Sequence, residues 1–347
     1  MIYIGGNMKI KKEFIELTAL ISIAILLIAF SGDAKSGALH GLEMSAEVVV
    51  PSLLPLLIIF NLLSKAETKN FIERIFAPFT EKVLRLPRST SGAILFGLIG
   101  GYPTGALLTE GLYINEDINR ETAKRLLRFN VNGGAAFIIT ATGTAVLKNE
   151  KAGIILFAST TISALLIAFI SSFHYKKINY PNPSFSAVSF GEALNKSTDS
   201  SVKAVLNITA YIVLFSAISN IIRIPQPFTP VFEITNGIVE HFRIFTLPEL
   251  AGLLAFSGFC IHFQLLSIIK KIGMGYFDFF IWRVIHAIIS YGVCFVLLKV
   301  FPTETAVFSN FSDITAEPIS VNTALSVLMI LGCAVIILDI ESKKRKI

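Results

Sequence analysis

Charge is scarce in this sequence. Asp, Glu, Lys and Arg make up 16% of its 347 residues, where soluble globular domains carry roughly 25%, so water is not its main solvent. Cysteine is scarce as well: Cys260, Cys294 and Cys333 lie in separate apolar stretches, without the close spacing of a metal site or a redox pair. They read as small apolar fillers. Missing altogether are the G-x-x-x-x-G-K-[ST] phosphate loop, a dinucleotide fingerprint ahead of a helix, H-E-x-x-H and G-x-S-x-G. Their absence speaks against ATP-driven and common hydrolytic chemistry. No catalytic residue, metal ligand or cofactor is expected, and the chain is not read as an enzyme.

What the sequence has in quantity is apolar length. Hydrophobic residues make up 53%, Phe alone contributes 29, and mean hydropathy is +0.70. The net charge of +6 and pI of about 9.1 come largely from runs beside apolar segments, such as Lys9, Lys11 and Lys12, and Lys343 to Lys346. That is the positive-inside pattern of membrane proteins. No basic stripe is interleaved with aromatics, so no nucleic-acid partner is expected. Lys9 to Lys12 ahead of 14–30 resembles a signal peptide, but Ser31-Gly32-Asp33-Ala34 is a poor cleavage site, and 14–30 reads as a retained first helix.

Further apolar segments run over 46–63, 91–112, 131–147, 152–173, 204–222, 248–269, 276–300 and 321–340. Lipid leaves backbone N–H and C=O groups unsatisfied, so such segments must be helical, and irregular backbone is tolerated only where protein or a water-filled cavity covers it. Several segments are broken. Gly100-Gly101-Tyr102-Pro103-Thr104-Gly105-Ala106 puts helix breakers inside one apolar run; 131–147 opens on Val131-Asn132-Gly133-Gly134; and 248–269 carries Ser257, Gly258, His262 and Gln264 at its middle. The fold expected is an all-α polytopic membrane bundle of two pseudo-repeated halves with broken or re-entrant helices. Its parts are an N-terminal helix and loop (1–44), a first half (45–173), a polar linker (174–201), a second half (202–340) and a basic tail (341–347). The breaks at 100–106 and 257–264 stand as the paired interruptions of the two halves, the best sequence pointer to a transporter's central site. Charge placement and repeat symmetry disagree about the side on which the C-terminal part lies.

The candidate binding residues come from these breaks. Gly101, Tyr102, Pro103, Thr104 and Gly105 would expose backbone N–H groups and half-helix ends suited to a carboxylate; a tight helix kink is the plain alternative. Glu233, Thr235 and Asn236 in Phe232-Glu233-Ile234-Thr235-Asn236-Gly237 offer ligands for a cation or a hydroxyl, or simply a helix cap. Ser257, His262 and Gln264 form a third group, although His262 and Gln264, two apart, point to different faces of a regular helix. Asn130 and Asn132 line a cavity or bridge helices, since buried amides need partners. Arg283 and His286, one turn apart, read as the anchor of an interfacial helix.

The stretches 97–138, 232–238 (FEITNGI) and 257–267 (SGFCIHFQLLS) together resemble the YlbJ sporulation integral membrane proteins, within the wider nucleoside-recognition, or Gate, group. The resemblance covers roughly 45–300. It implies a membrane carrier of an endospore-forming bacterium, moving dipicolinic acid across the outer forespore membrane. The Gate name instead implies nucleosides, with Glu233, Asn236 and Gln264 as the hydrogen-bonding set. A non-transporting scaffold working with a partner is the reading from a different class. The partners expected are a small solute and the lipid bilayer, with room for a homo-oligomer or a sporulation membrane partner.

Overall fold

In the computed structural model, residues 14, 17, 18, 20–65, 68–173 and 189–303 are described. The expected segment 321–340 and the tail 341–347 lie outside them. The described residues are helical, with no strand among them. Five helical runs among them are long and apolar enough to cross a membrane: Ser31–Leu63, Glu150–Ser172, Phe190–Ile222, Leu247–Ile272 and Tyr276–Val300. The protein is an all-α polytopic membrane bundle.

The order begins with a short apolar helix α1 (Leu20–Ala29). There follow α2 (Ser31–Met44), a π-helical stretch Ser45–Val49, α3 (Val50–Lys65), α4 (Thr68–Pro78), α5 (Ser91–Gly100), α6 (Thr104–Ile114) and α7 (Arg120–Phe129). A π-helix, Ala136–Val146, then leads into α8 (Glu150–Ser172) and α9 (Phe190–Ile222). The remainder is α10 (Thr229–Phe232), α11 (Ile234–His241), α12 (Leu247–Phe256), α13 (Gly258–Ile272) and α14 (Tyr276–Val300).

Two boundaries differ from the sequence expectation. The stretch 31–44, expected to be a loop, is helical and runs on into α3. Its Gly37 and Gly41, four apart, lie against the α9 backbone: a Cβ on Gly37 would stand 2.5 Å from Ser216 O, and one on Gly41 3.1 Å from Ile212 O. Glycines that look like loop punctuation are instead the small residues that let two membrane helices approach closely. The expected linker 174–201 is helical from Phe190 onward; residues 174–188 lie outside the described set. The charged first turns of α9 are held by side-chain pairs one turn apart, Glu192 with Lys196 and Asp199 with Lys203, each at 2.7 Å.

The halves repeat in element order and in packing. Each has a long helix (α3, α9), a broken pair (α5/α6, α10/α11), a second broken unit (α7 with the π-helix, α12/α13) and a closing helix (α8, α14). Contacts obey the same exchange: α6 touches α13 as α11 touches the π-helix, α7 touches α14 as α12 touches α8, and α13 touches α9 as the π-helix touches α3. Equivalent helices run antiparallel. Asn61 bonds Ser201 at 2.9 Å while Gly41, earlier in the chain, lies by Ser216, later in it. Likewise Asn149 meets Thr303 at 3.1 Å and Thr160 meets His286 at 2.9 Å. This is the relation of an inverted repeat. It corrects the expected pairing: the break at 100–106 corresponds to that at Glu233, and Asn130–Gly134 corresponds to Ser257–Gly258.

Candidate functional site

The breaks interlock in pairs. After α5 the chain turns at Gly101, with φ of +82°, and the Tyr102 N–H donates to Asn132 O at 2.6 Å. A Cβ on Gly101 would stand 2.2 Å from Gly134 N, and one on Gly105 1.8 Å from Asn130 O. Only glycine allows the two irregular strands of backbone to pass this closely. Asn130 bridges them, its amide donating to Ala93 O at 2.9 Å and Gly105 O at 3.3 Å, and Asn132 donates to Thr161 at 3.3 Å. The second pair is built alike. Ser257 and Gly258 both have positive φ, and a Cβ on Gly258 would lie 3.0 Å from Pro230 O and 3.2 Å from Ile234 N.

Glu233 separates α10 from α11 in extended conformation. Its two carboxylate oxygens accept the Thr235 N–H at 2.9 Å and the Asn236 N–H at 2.7 Å, so it caps α11. The cap is not at the surface; Glu233 is 1% exposed. Asn236 donates its amide to Ser216 of α9 at 2.6 Å.

Tyr102, Gly134, Phe137, Thr235 and Ile261, drawn from the interrupted elements of both halves, meet over a void of about 20 Å³ closed off by α3 and by Ile208 and Ile212 of α9. Gln264 lies one helical turn after Ile261 on the same face of α13. Polar atoms on these interrupted elements are buried without a hydrogen-bond partner: Tyr102 Oη at the void itself, Thr104 Oγ1, Asn130 Oδ1 and Asn132 Oδ1 along the first break, and both amide atoms of Gln264. Buried polar groups are ordinarily paired, so this concentration marks the junction as a place for a polar guest.

The void lies between two larger spaces, the first mostly apolar in its lining with a few polar groups and the second mostly polar, and all three border α9. One, of about 610 Å³, is lined by Ser200, Lys203 and Asn207 of α9 together with Asn61 and Asp117. The other, of about 470 Å³, is lined by Ser216, Asn220 and Arg223 with His40, Glu233 and Asn236. Lys203 and Asn220 are roughly 25 Å apart along α9 at 1.5 Å per residue. Repeat symmetry exchanges these spaces, since the first is framed by α3, α5, α6 and α9 and the second by α9, α10, α11 and α2.

Other expected residues sit apart from the junction. His262 is enclosed by Phe256, Phe259, Phe279 and Phe280. One ring nitrogen lies 2.9 Å from Phe256 O and the other 3.3 Å from Tyr276 Oη, which fixes the tautomer with the proton on Nε2. It is a packed histidine satisfying the last carbonyl of α12. Ser257 turns its hydroxyl back to Ala255 O at 3.3 Å. Pro103 and Gly105 shape the first break. Arg283 corrects another expectation: it is no interfacial anchor but 0% exposed, donating to Arg128 O, Val131 O and His286. It holds the carbonyls that α7 leaves unpaired where it ends. The sequence offered one signal, a lone arginine inside the apolar run 276–300. Ser216, Asn220, Ser200 and Lys203, which border the two spaces on α9, carried no signal of their own.

No family profile matches the chain, and no solved structure matches it. It is similar to the sporulation integral membrane protein YlbJ of Bacillus subtilis, with 26% identity over 317 residues, 77% of each chain.

Proposed function

We propose that this chain, a YlbJ-type sporulation membrane protein, carries a small anionic or polar solute across the membrane, dipicolinate being the solute that its chemistry suits best. The observation that carries this reading is the series of spaces along α9: one chamber beside Ser200 to Asn207 and a more polar one beside Ser216 to Arg223, with a nearly closed junction of broken helices between them. An inverted repeat around such a junction is the architecture of alternating access, in which one chamber deepens as the other closes.

The first break suits a carboxylate. α6 begins at Thr104 with no side chain capping it, and Tyr102, two residues before that positive end, lines the void. Tyr102 and Thr104 add hydroxyls without partners, and a planar dianion presents acceptors for both. The proposed site is the junction, not a catalytic centre. The proposed place of work is the outer forespore membrane, with the bilayer and the solute as partners.

Purified protein in liposomes is expected to take up labelled dipicolinate well above empty liposomes, and to do so alone. Absence of uptake of dipicolinate and of nucleosides alike would overturn the carrier reading in favour of a scaffold. A second reading, a nucleoside as solute, is favoured by Gln264, whose buried amide leaves both donor and acceptor unused and so matches the edge of a base. Competition of unlabelled nucleoside against dipicolinate uptake separates the two solutes.

A further inference from the structure

A carboxylate buried among apolar helices is costly unless its charge is answered. Glu233 is 1% exposed. Its electrostatic surroundings among the described residues are the Asn236 and Thr235 amides, the Thr235 hydroxyl and the like charge of Glu240. Glu240 already pairs with His40 at 2.6 Å and His241 at 3.5 Å. Arg223, at the end of α9, lines the same chamber without forming an ion pair to Glu233. Two amide bonds stabilise a carboxylate but bring no net positive charge.

The oxygens around Glu233 make a set. Each carboxylate oxygen accepts one N–H, the Thr235 hydroxyl is a further donor to the group, and at least one lone pair is left for a ligand. Asn236, 5% exposed, borders the same chamber, and its side-chain carbonyl oxygen is buried with no hydrogen-bond partner. Ser216 Oγ, 2.6 Å from the Asn236 amide nitrogen, is held beside them and accepts from it. A proton on Glu233 would supply one donor. It would leave these acceptors competing for it.

We propose that Glu233, the Asn236 side-chain carbonyl and the Ser216 hydroxyl form a binding site for a single alkali cation, Na+. All-oxygen ligands select a hard cation over a transition metal, and the described residues hold no cluster of three His, Cys, Asp or Glu for the latter. One carboxylate balances one charge, which selects a monovalent ion. The ion would reach the site through the chamber lined by Asn220 and Arg223. The neighbouring Thr235 lines the central void with Tyr102, so ion and solute would share consecutive residues of α11. Coupling to solute movement rests on the carrier reading; occupancy by Na+ does not.

The test uses full-length protein in detergent, at constant ionic strength in Na+, K+ or choline, with melting temperature and equilibrium binding of radioactive Na+ as readouts. Saturable Na+ binding that raises Tm above its value in K+ and in choline is expected. Glu233→Gln and Asn236→Leu should each weaken Na+ binding about tenfold or more, a loss of about 1.4 kcal/mol, while Glu192→Gln on the solvated end of α9 should leave it unchanged. Absence of saturable Na+ binding to the unaltered protein, equal stabilisation by choline, or full binding by both altered forms overturns the site. The ion preference of the unaltered protein decides the matter even where a variant fails to fold. Loss of Na+ binding with solute uptake intact would remove this site and leave the carrier reading standing; Na+ binding without uptake would do the reverse.

Discussion

Tyr102 and Thr104 carry hydroxyls that are buried yet bond to nothing in the protein. Such a group contributes no stability, and its removal by an isosteric apolar residue is neutral or favourable. Tyr102→Phe and Thr104→Val are therefore expected to leave Tm unchanged or slightly raised while solute uptake falls, measured by melting and by liposome flux on the same preparations. A residue with a structural role would lose both together. Glycines separate in the same way. A Cβ at Gly105 would reach 1.8 Å from Asn130 O, a backbone atom that cannot swing aside, whereas Gly292 has nothing within 4 Å. Gly105→Ala should cost about 1–3 kcal/mol or more, and Gly292→Ala should gain about 0.5–1 kcal/mol, compared by thermal melting.

Broken helices need their loose ends held. Arg283 of α14 donates to Arg128 O and Val131 O, tying the closing helix of the second half to the second break of the first. Arg283→Gln would leave those carbonyls short of partners at about 1–3 kcal/mol each. Hydrogen exchange over 128–136 should then rise well before exchange in α9 does; uniform acceleration across the chain would argue against this local role. Arg125 does a similar service near the end of α8, donating to Leu84 O and Ala168 O. Both arginines hold backbone carbonyls. A positive head group reaching several carbonyls is a way to keep a charge inside a membrane bundle.

Two chambers border α9 at different heights, one near its middle and one near its C-terminal end. Lys203 borders one and Asn220 the other. Cysteine placed at Lys203 and at Asn220, in chains lacking the native cysteines, is expected to react with a membrane-impermeant maleimide from opposite faces of the membrane. Reaction of both from one face would refute the serial arrangement. The antiparallel equivalence of α3 with α9 and of α8 with α14 supports the same conclusion, because inversion carries one chamber into the other.

Helix content, membrane residence and the positions of the breaks were legible from residues alone, for a physical reason: each is set by local chemistry. Apolar length dictates a helix in lipid, and Gly100-Gly101 with Pro103, Asn130 to Gly134, and Ser257-Gly258 weaken a helix wherever it packs. What a break meets is not local. That Gly101 rests on Gly134, that Gly258 rests on Pro230 and Ile234, and that 100–106 answers to Glu233 depended on contacts between segments far apart in the chain. The same holds for Gly37 and Gly41, which read as a loop until α9 lay against them, and for Arg283, whose partners are carbonyls that every residue has. His262 shows the other direction, a side chain with chemistry to offer whose ring nitrogens packing has already engaged. The residues dictated where the helices fail; only the tertiary contacts decided which failures come together and which polar atoms are left there unpaired.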